Sequence, residues 1–141
     1  MKNLLLKTAI AVVMGLFFCS ITNAQNNTFK FEPSVSTVTG TITLETFYGP
    51  PGFGENPKTD SRESYYILTL SSPIKVIADK NDDSNVTSTN ILHLQLINDS
   101  TTKFADYKNK RVRLTGTFFS AITGHHHTKV LMDVTKIQQV Q

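Results

Sequence analysis

Between residues 38 and 137 the chain repeatedly places apolar side chains at every second position, and that two-residue period allows half-buried β-strands and little else. The first such run covers 38–45: Val38, Ile42 and Leu44 share one side with Gly40, and Thr37, Thr39, Thr41, Thr43 and Glu45 share the other. β-branched threonines suit the exposed side of a strand. Further runs follow at 65–70, with Tyr66, Leu68 and Leu70 in phase, and at 91–97, with Leu92, Leu94 and Leu96 inward and His93 and Gln95 on the opposite face. The last two, at 111–121 and 129–137, direct Val112, Leu114 and Phe118, then Val130, Met132 and Val134, to the core. The tracts Val38-Thr39-Gly40-Thr41-Ile42 and Leu114-Thr115-Gly116-Thr117-Phe118 share phase and glycine position, as two strands meeting the same steric demand.

Asn98, Asp99 and Ser100 offer N-cap chemistry for a short helix of one or two turns ending by about residue 109, with Phe104 and Tyr107 three residues apart on one side. The order is then three strands, a short helix and two strands. It predicts an all-β fold with one short helix, a small five-stranded Greek-key barrel of the OB-fold kind, in which the first strand bends at Gly40 to pair on two sides.

The flanks limit the compartment. Residues 1–24 place Lys2 and Lys7 before an apolar run at 9–18 and end on Thr22-Asn23-Ala24, the pattern of a cleavable export signal with cleavage near Ala24 and Gln25. The expected location is periplasmic or secreted; Cys19 follows Phe17 and Phe18, which disfavours processing as a lipoprotein. No later segment reaches the ~20 apolar residues of a membrane-spanning helix. Residues 25–36 read as a polar lead-in and 37–141 as one domain. Loss of Lys2 and Lys7 from the fourteen basic residues leaves twelve against eleven acidic ones, a net charge of +1. The cluster Lys108, Lys110, Arg111 and Arg113 reads as a solvated surface, and no nucleic-acid signal stands out. With Cys19 removed no cysteine remains, which excludes disulfides, thiolate nucleophiles and cysteine-based zinc sites.

Two loops depart from the ordinary. Residues 49–63 carry three glycines and three prolines around an isolated Phe53, and loops of this length in compact domains are commonly functional. The tip between the last two strands holds His125, His126 and His127. In an OB-fold these two loops flank one face, so they are expected to lie together. Alternation puts His125 and His127 on one side and His126 on the other. With Asp60 or Glu63 they would supply nitrogen and oxygen ligands for a divalent metal such as zinc. The alternative is that the histidines anchor the tip by hydrogen bonds to the long loop, with a carboxylate fixing a ring tautomer. Phe53, Asp60, Glu63, His125, His126 and His127 are therefore the candidate binding residues, and His125, His127, Asp60 and Glu63 the candidate metal ligands. No catalytic residue is assigned, because no nucleophile elbow, phosphate loop, His-Glu-x-x-His helix or dinucleotide fingerprint is present. Phe47, Tyr48, Phe53, Tyr65 and Phe119 form a possible stacking surface; Phe47 and Phe119 fall on the otherwise polar sides of their strands.

The tract from Leu114 through Thr123, Gly124, His125, His126, His127 and Thr128 to Val134 resembles the signature of DUF4431, a bacterial exported family of unknown function. Phe47, Gly49, Pro51, Asp60, Glu63 and the strand from Tyr66 are similar to the region that often precedes it. The resemblance implies export and no assigned activity. Relatives often carry cysteines around the first two strands that this chain lacks, so no disulfide carries over. The function expected is a binding or interaction module with a histidine-rich hairpin tip and an unknown ligand or protein partner; a divalent-metal-binding protein or metal-dependent hydrolase using the same histidines is the alternative.

Overall fold

A computed structural model of the protein describes residues 27–97 and 103–141. The segment expected to be an export signal and the candidate capping residues Asn98, Asp99 and Ser100 lie outside the described residues. The elements are β1 (Thr28–Lys30), β2 (Val35–Tyr48), β3 (Arg62–Ile77), β4 (Ser88–Ile97), a 3-10 helix (Phe104–Tyr107), β5 (Arg111–Ser120) and β6 (Val130–Gln139). They form a sheet in the order β1-β3-β2-β5-β6-β4, and a further pairing of β3 with β4 closes its five long strands on themselves. Pairing is antiparallel except between β4 and β6 and between β1 and β3. This is the barrel-like, OB-fold-like arrangement expected from the strand order.

Closure depends on β2 serving two partners. Its first half pairs with β5 from Val35 to Thr41 and its second half with β3 from Gly40 to Tyr48, so Gly40 and Thr41 pair on both sides. A side chain at Gly40 would stand 2.9 Å from Leu68 Cγ and from the Thr69 carbonyl carbon. Gly116 is the counterpart on β5, where the β5–β6 register shifts and a Cβ would run into the Asp133 carbonyl oxygen. The paired Thr-Gly-Thr tracts thus mark the two points where backbones press together.

Inside lie Val38, Ile42, Leu68, Leu94, Val112, Leu114, Phe118, Val130, Met132 and Val134, all essentially inaccessible. Each such burial contributes ~1.5–3 kcal/mol relative to exposure, the main stabilising resource of a domain without disulfides. Phe31 joins this core and Phe29 packs edge-on against Phe118 at 5.7 Å. The presumed lead-in therefore supplies a strand: Thr28–Lys30 pairs in parallel with β3 at Lys75, Val76 and Ile77.

The expected short helix is present as a single 3-10 turn in the described part, with Phe104 buried and Tyr107 packed on the core. Several other expectations are corrected. Leu44 is exposed because β2 runs on past the buried layer, where inward phase no longer guarantees cover. Leu92 is exposed because β4 meets a bulge in β3 between Thr69 and Ile74, which hands the inward position to Ile91. Pro73 lies in that bulge, as a residue without an N–H must. Gln95, placed by phase on the solvent side, is fully buried. Within the polar turn 80–90, Asn85 donates to Asp82 at 2.6 Å and accepts from Ser120 N at 2.9 Å, which ties that turn to β5.

Candidate functional site

The burial of Gln95 shows how the tip is built. Gln95 pairs with Ile67 on β3 and with Leu131 on β6, and all three are buried although they face away from the main core. The β5–β6 tip folds back over this outer wall. Gln95 Nε2 donates to the His125 carbonyl at 3.0 Å and Gln95 Oε1 accepts from His127 N at 2.7 Å, so one amide satisfies a donor and an acceptor of the loop backbone. Thr128 adds a third tie: its hydroxyl accepts from Gln95 N at 2.9 Å and donates to the Val130 carbonyl at 2.7 Å.

Each histidine then meets its own aromatic partner. His127 lies flat on Phe47, with ring centroids 4.2 Å apart and planes 3° apart, and is tilted against Tyr65 at 5.4 Å. His125 stands edge-on to Phe53 at 5.5 Å, and His126 edge-on to Phe119 at 5.8 Å. Arg62 covers the Tyr48 ring at 3.6 Å. The five aromatics with potential as a stacking surface thus each pack against a neighbour within the molecule, Phe53 while staying partly exposed; Phe47 and Phe119 lie on the polar sides of their strands because the histidines pack there.

Glu63 is the polar centre of the site. Its Oε2 accepts from His125 Nδ1 at 2.9 Å and from the Tyr65 hydroxyl at 3.2 Å, and His127 Nε2 lies 3.7 Å away. A carboxylate offers only lone pairs, so His125 must carry its proton on Nδ1. The hydrogen bond from His125, aided by that residue's charge and by Tyr65 and His127, holds the Glu63 carboxyl below its usual range despite partial burial. Burial, then the Glu63 charge, raises the Tyr65 hydroxyl. His127 Nε2 is buried without a hydrogen-bond partner among the described residues.

His126 points the other way. Its Nδ1 accepts from Ile122 N at 3.0 Å, a bond that only an unprotonated Nδ1 can make. Burial, followed by the charges of His125 and His127, holds its pKa below the usual imidazole value.

Asp60 does not join the histidines. Gly52 N and Gly54 N donate to its two oxygens at 2.8 Å each, and Asn56 N donates at 3.1 Å. Burial alone would raise this carboxyl, but the three backbone donors outweigh it and the pKa is lowered. The long loop is therefore a wrapped, ordered turn around one carboxylate, and it delivers Phe53 to the tip. Phe53 adopts φ +49, a left-handed conformation that costs a non-glycine residue about 1–3 kcal/mol. A Cβ on Gly124 would stand 2.8 Å from Phe53 Cζ, so the two loops touch with no room for a side chain. His93 is remote and exposed, with Thr69 as partner at 3.3 Å.

Of the candidate residues, the structure gathers Phe53, Glu63, His125 and His127, turns His126 to the opposite side and commits Asp60 to its own loop. Among the described residues, no group of three or more His, Cys, Asp or Glu side chains is arranged to hold a metal ion. Gln95 and Thr128 went unread as site residues, since nothing local marks a strand glutamine as covered by a loop thirty residues later. Among the described residues no helix is long and apolar enough to cross a membrane. Residues 92–138 match the family model described as Domain of unknown function (DUF4431), a span that holds the histidine tip and leaves the upstream likeness around 47–66 outside it. No curated protein matches the chain.

Proposed function

We propose that this chain, which carries a DUF4431 domain from β4 to β6, is an exported, periplasmic binding or interaction module whose working edge is the rim where the 49–61 loop meets the histidine tip. The observation that carries this reading is Phe53. It is held in a strained backbone conformation by a wrapped loop and braced by His125 and Gly124, yet its ring remains 43% exposed. Ile122, on the same tip, is 73% exposed. Strain stored to present an apolar ring is characteristic of a pre-organised contact surface. The test is a photo-crosslinking phenylalanine analogue at position 53, with a second protein carrying it at Val35 as control, both exported in the source cell type. A defined adduct at position 53 that is absent at 35 supports the rim; equal or no labelling at both sinks it.

Metal binding is the second reading, favoured by one observation: His125 Nδ1 and His127 Nε2 both face Glu63 Oε2, and the latter nitrogen has no partner. A zinc ion there would have to displace the His125 Nδ1 proton and draw the three atoms around itself. Metal content of untagged protein, before and after chelation and beside Glu63→Gln, tests it. One equivalent of metal, lost in the variant, supports this reading, and less than a tenth of an equivalent removes it. The hydrolase extension has less support, because none of the cavities of about 500, 440 and 490 Å³ is lined by Glu63 or by the three histidines.

A further inference from the structure

The cavity of about 500 Å³ lies at the other end of the strands from the histidine tip, and its origin is topological. The β2–β3 ladder stops at Gly40 opposite Leu70, while β2 from Val35 to Thr39 pairs with β5 alone. Past Leu70, β3 swings away through the bulge at Ser71, Ser72 and Pro73 and takes β1 as its neighbour instead. One edge of β2 is left open, and the space beside it has an apolar floor that includes Leu70 and Ile74. Volumes of ~300–1,000 Å³ are typical of small-molecule sites.

The rim has one chemical bias. Arg111 and Arg113 occupy alternate positions on β5, on its exposed side, with Thr39 directly opposite Arg113. Ser71 and Ser72 bring hydroxyls from the bulge. No Asp or Glu side chain lines the cavity; Gln141 also borders it, but neither its terminal carboxylate nor any other group makes an ion pair or side-chain hydrogen bond with either guanidinium among the described residues. Arg62, by contrast, lies on an aromatic ring. Two free guanidiniums beside hydroxyl donors form a recognition set for a planar or tetrahedral oxyanion, and the apolar floor suits a short hydrocarbon attached to it.

We infer that this cleft binds a small amphipathic organic anion, its carboxylate or phosphate held by Arg111 and Arg113 and its apolar part over Leu70 and Ile74. The inference is independent of the tip. Backbone amide shifts of the full exported chain are followed during titration with hexanoate, hexyl phosphate and the neutral hexanamide. Saturable shifts at residues 70–74 and 111–113 with either anion are expected, with hexanamide binding about tenfold weaker or less. The preferred anion identifies the head group. The Arg111→Gln/Arg113→Gln double variant loses about tenfold or more in affinity with an unchanged melting temperature. Thr39→Glu, which sets a carboxylate opposite Arg113, gives the same loss by blocking the guanidinium. No saturation with either anion, unchanged affinity in the double variant, or equal binding of hexanamide overturns the inference.

Discussion

The two ends of the sheet handle polar groups in opposite ways. At the histidine tip, Glu63 holds two donors on one oxygen, Asp60 holds three backbone amides, and Gln95 holds both sides of a loop peptide from below. At the cleft, Arg111 and Arg113 face open space with no carboxylate partner among the described residues. An end whose carboxylates and loop amides are satisfied internally, His127 Nε2 excepted, is rigid and presents shape, here the ring of Phe53. An end whose charges are unsatisfied presents chemistry and gains little stability from them. Substitutions at the tip should therefore register as stability, and those at the cleft as binding.

The largest test of that contrast is Gln95→Leu. It leaves the part-buried His125 carbonyl and His127 N–H unpaired at up to ~1–3 kcal/mol each and strips a buried amide from the wall, and about 3 kcal/mol of stability should be lost in urea titration. Cleft titration in the same variant should be unchanged; a loss of under about 1 kcal/mol would mean that the tip is not pinned from the wall. Phe47→Ala removes the stacked partner of His127 and should cost about 2 kcal/mol by the same measurement.

Next comes Asp60→Asn, which weakens a three-donor cage without opening the core. Hydrogen exchange at Gly52, Gly54 and Asn56 should accelerate about tenfold while amides of β5 keep their rates. Acidification gives a smaller effect with a definite sign. The pKa of His126 is lower folded than its ordinary 6.5, so the unfolded chain takes up this proton first. The stability it contributes is complete above that value and is lost as pH falls through the folded pKa. Glu63 is depressed from 4.5, so its contribution is lost in a second, more acidic step. Melting temperature followed from pH 8 down to about pH 2 should fall in that order, and His126→Phe should remove the upper step alone. The smallest effect is Arg111→Gln/Arg113→Gln, expected within about 0.5 kcal/mol of the parent; a larger loss would show that the cleft, too, is structural.

Much of the barrel was legible because alternation is a local property. Ile42, Leu114, Phe118 and Met132 fall inward by period, and Gly40 and Gly116 by the gaps they leave in it. The short helix was legible too, because two aromatics three residues apart describe a single turn as well as two. Phe47 and Phe119 were visible as anomalies of phase, yet nothing along the chain names their partners. Asp60 and Glu63, three residues apart and chemically alike, were indistinguishable as ligands. One met backbone amides of its own turn and the other met side chains some sixty residues away.

Five of the six strands, most of the inward set and the two unusual loops could be read from the sequence, because side-chain period, β-branching and Pro/Gly punctuation act over a few residues. What could not be read there is that Ile67, Gln95 and Leu131 are buried, that the three histidines pack against four aromatics, Phe47, Phe53, Tyr65 and Phe119, and that a cleft opens beside Arg111 and Arg113. Those outcomes depend on which strand edge is left unpaired and which loop folds back over the outer wall. Both are fixed by closure of the sheet, where residues far apart in the chain compete for the same surface.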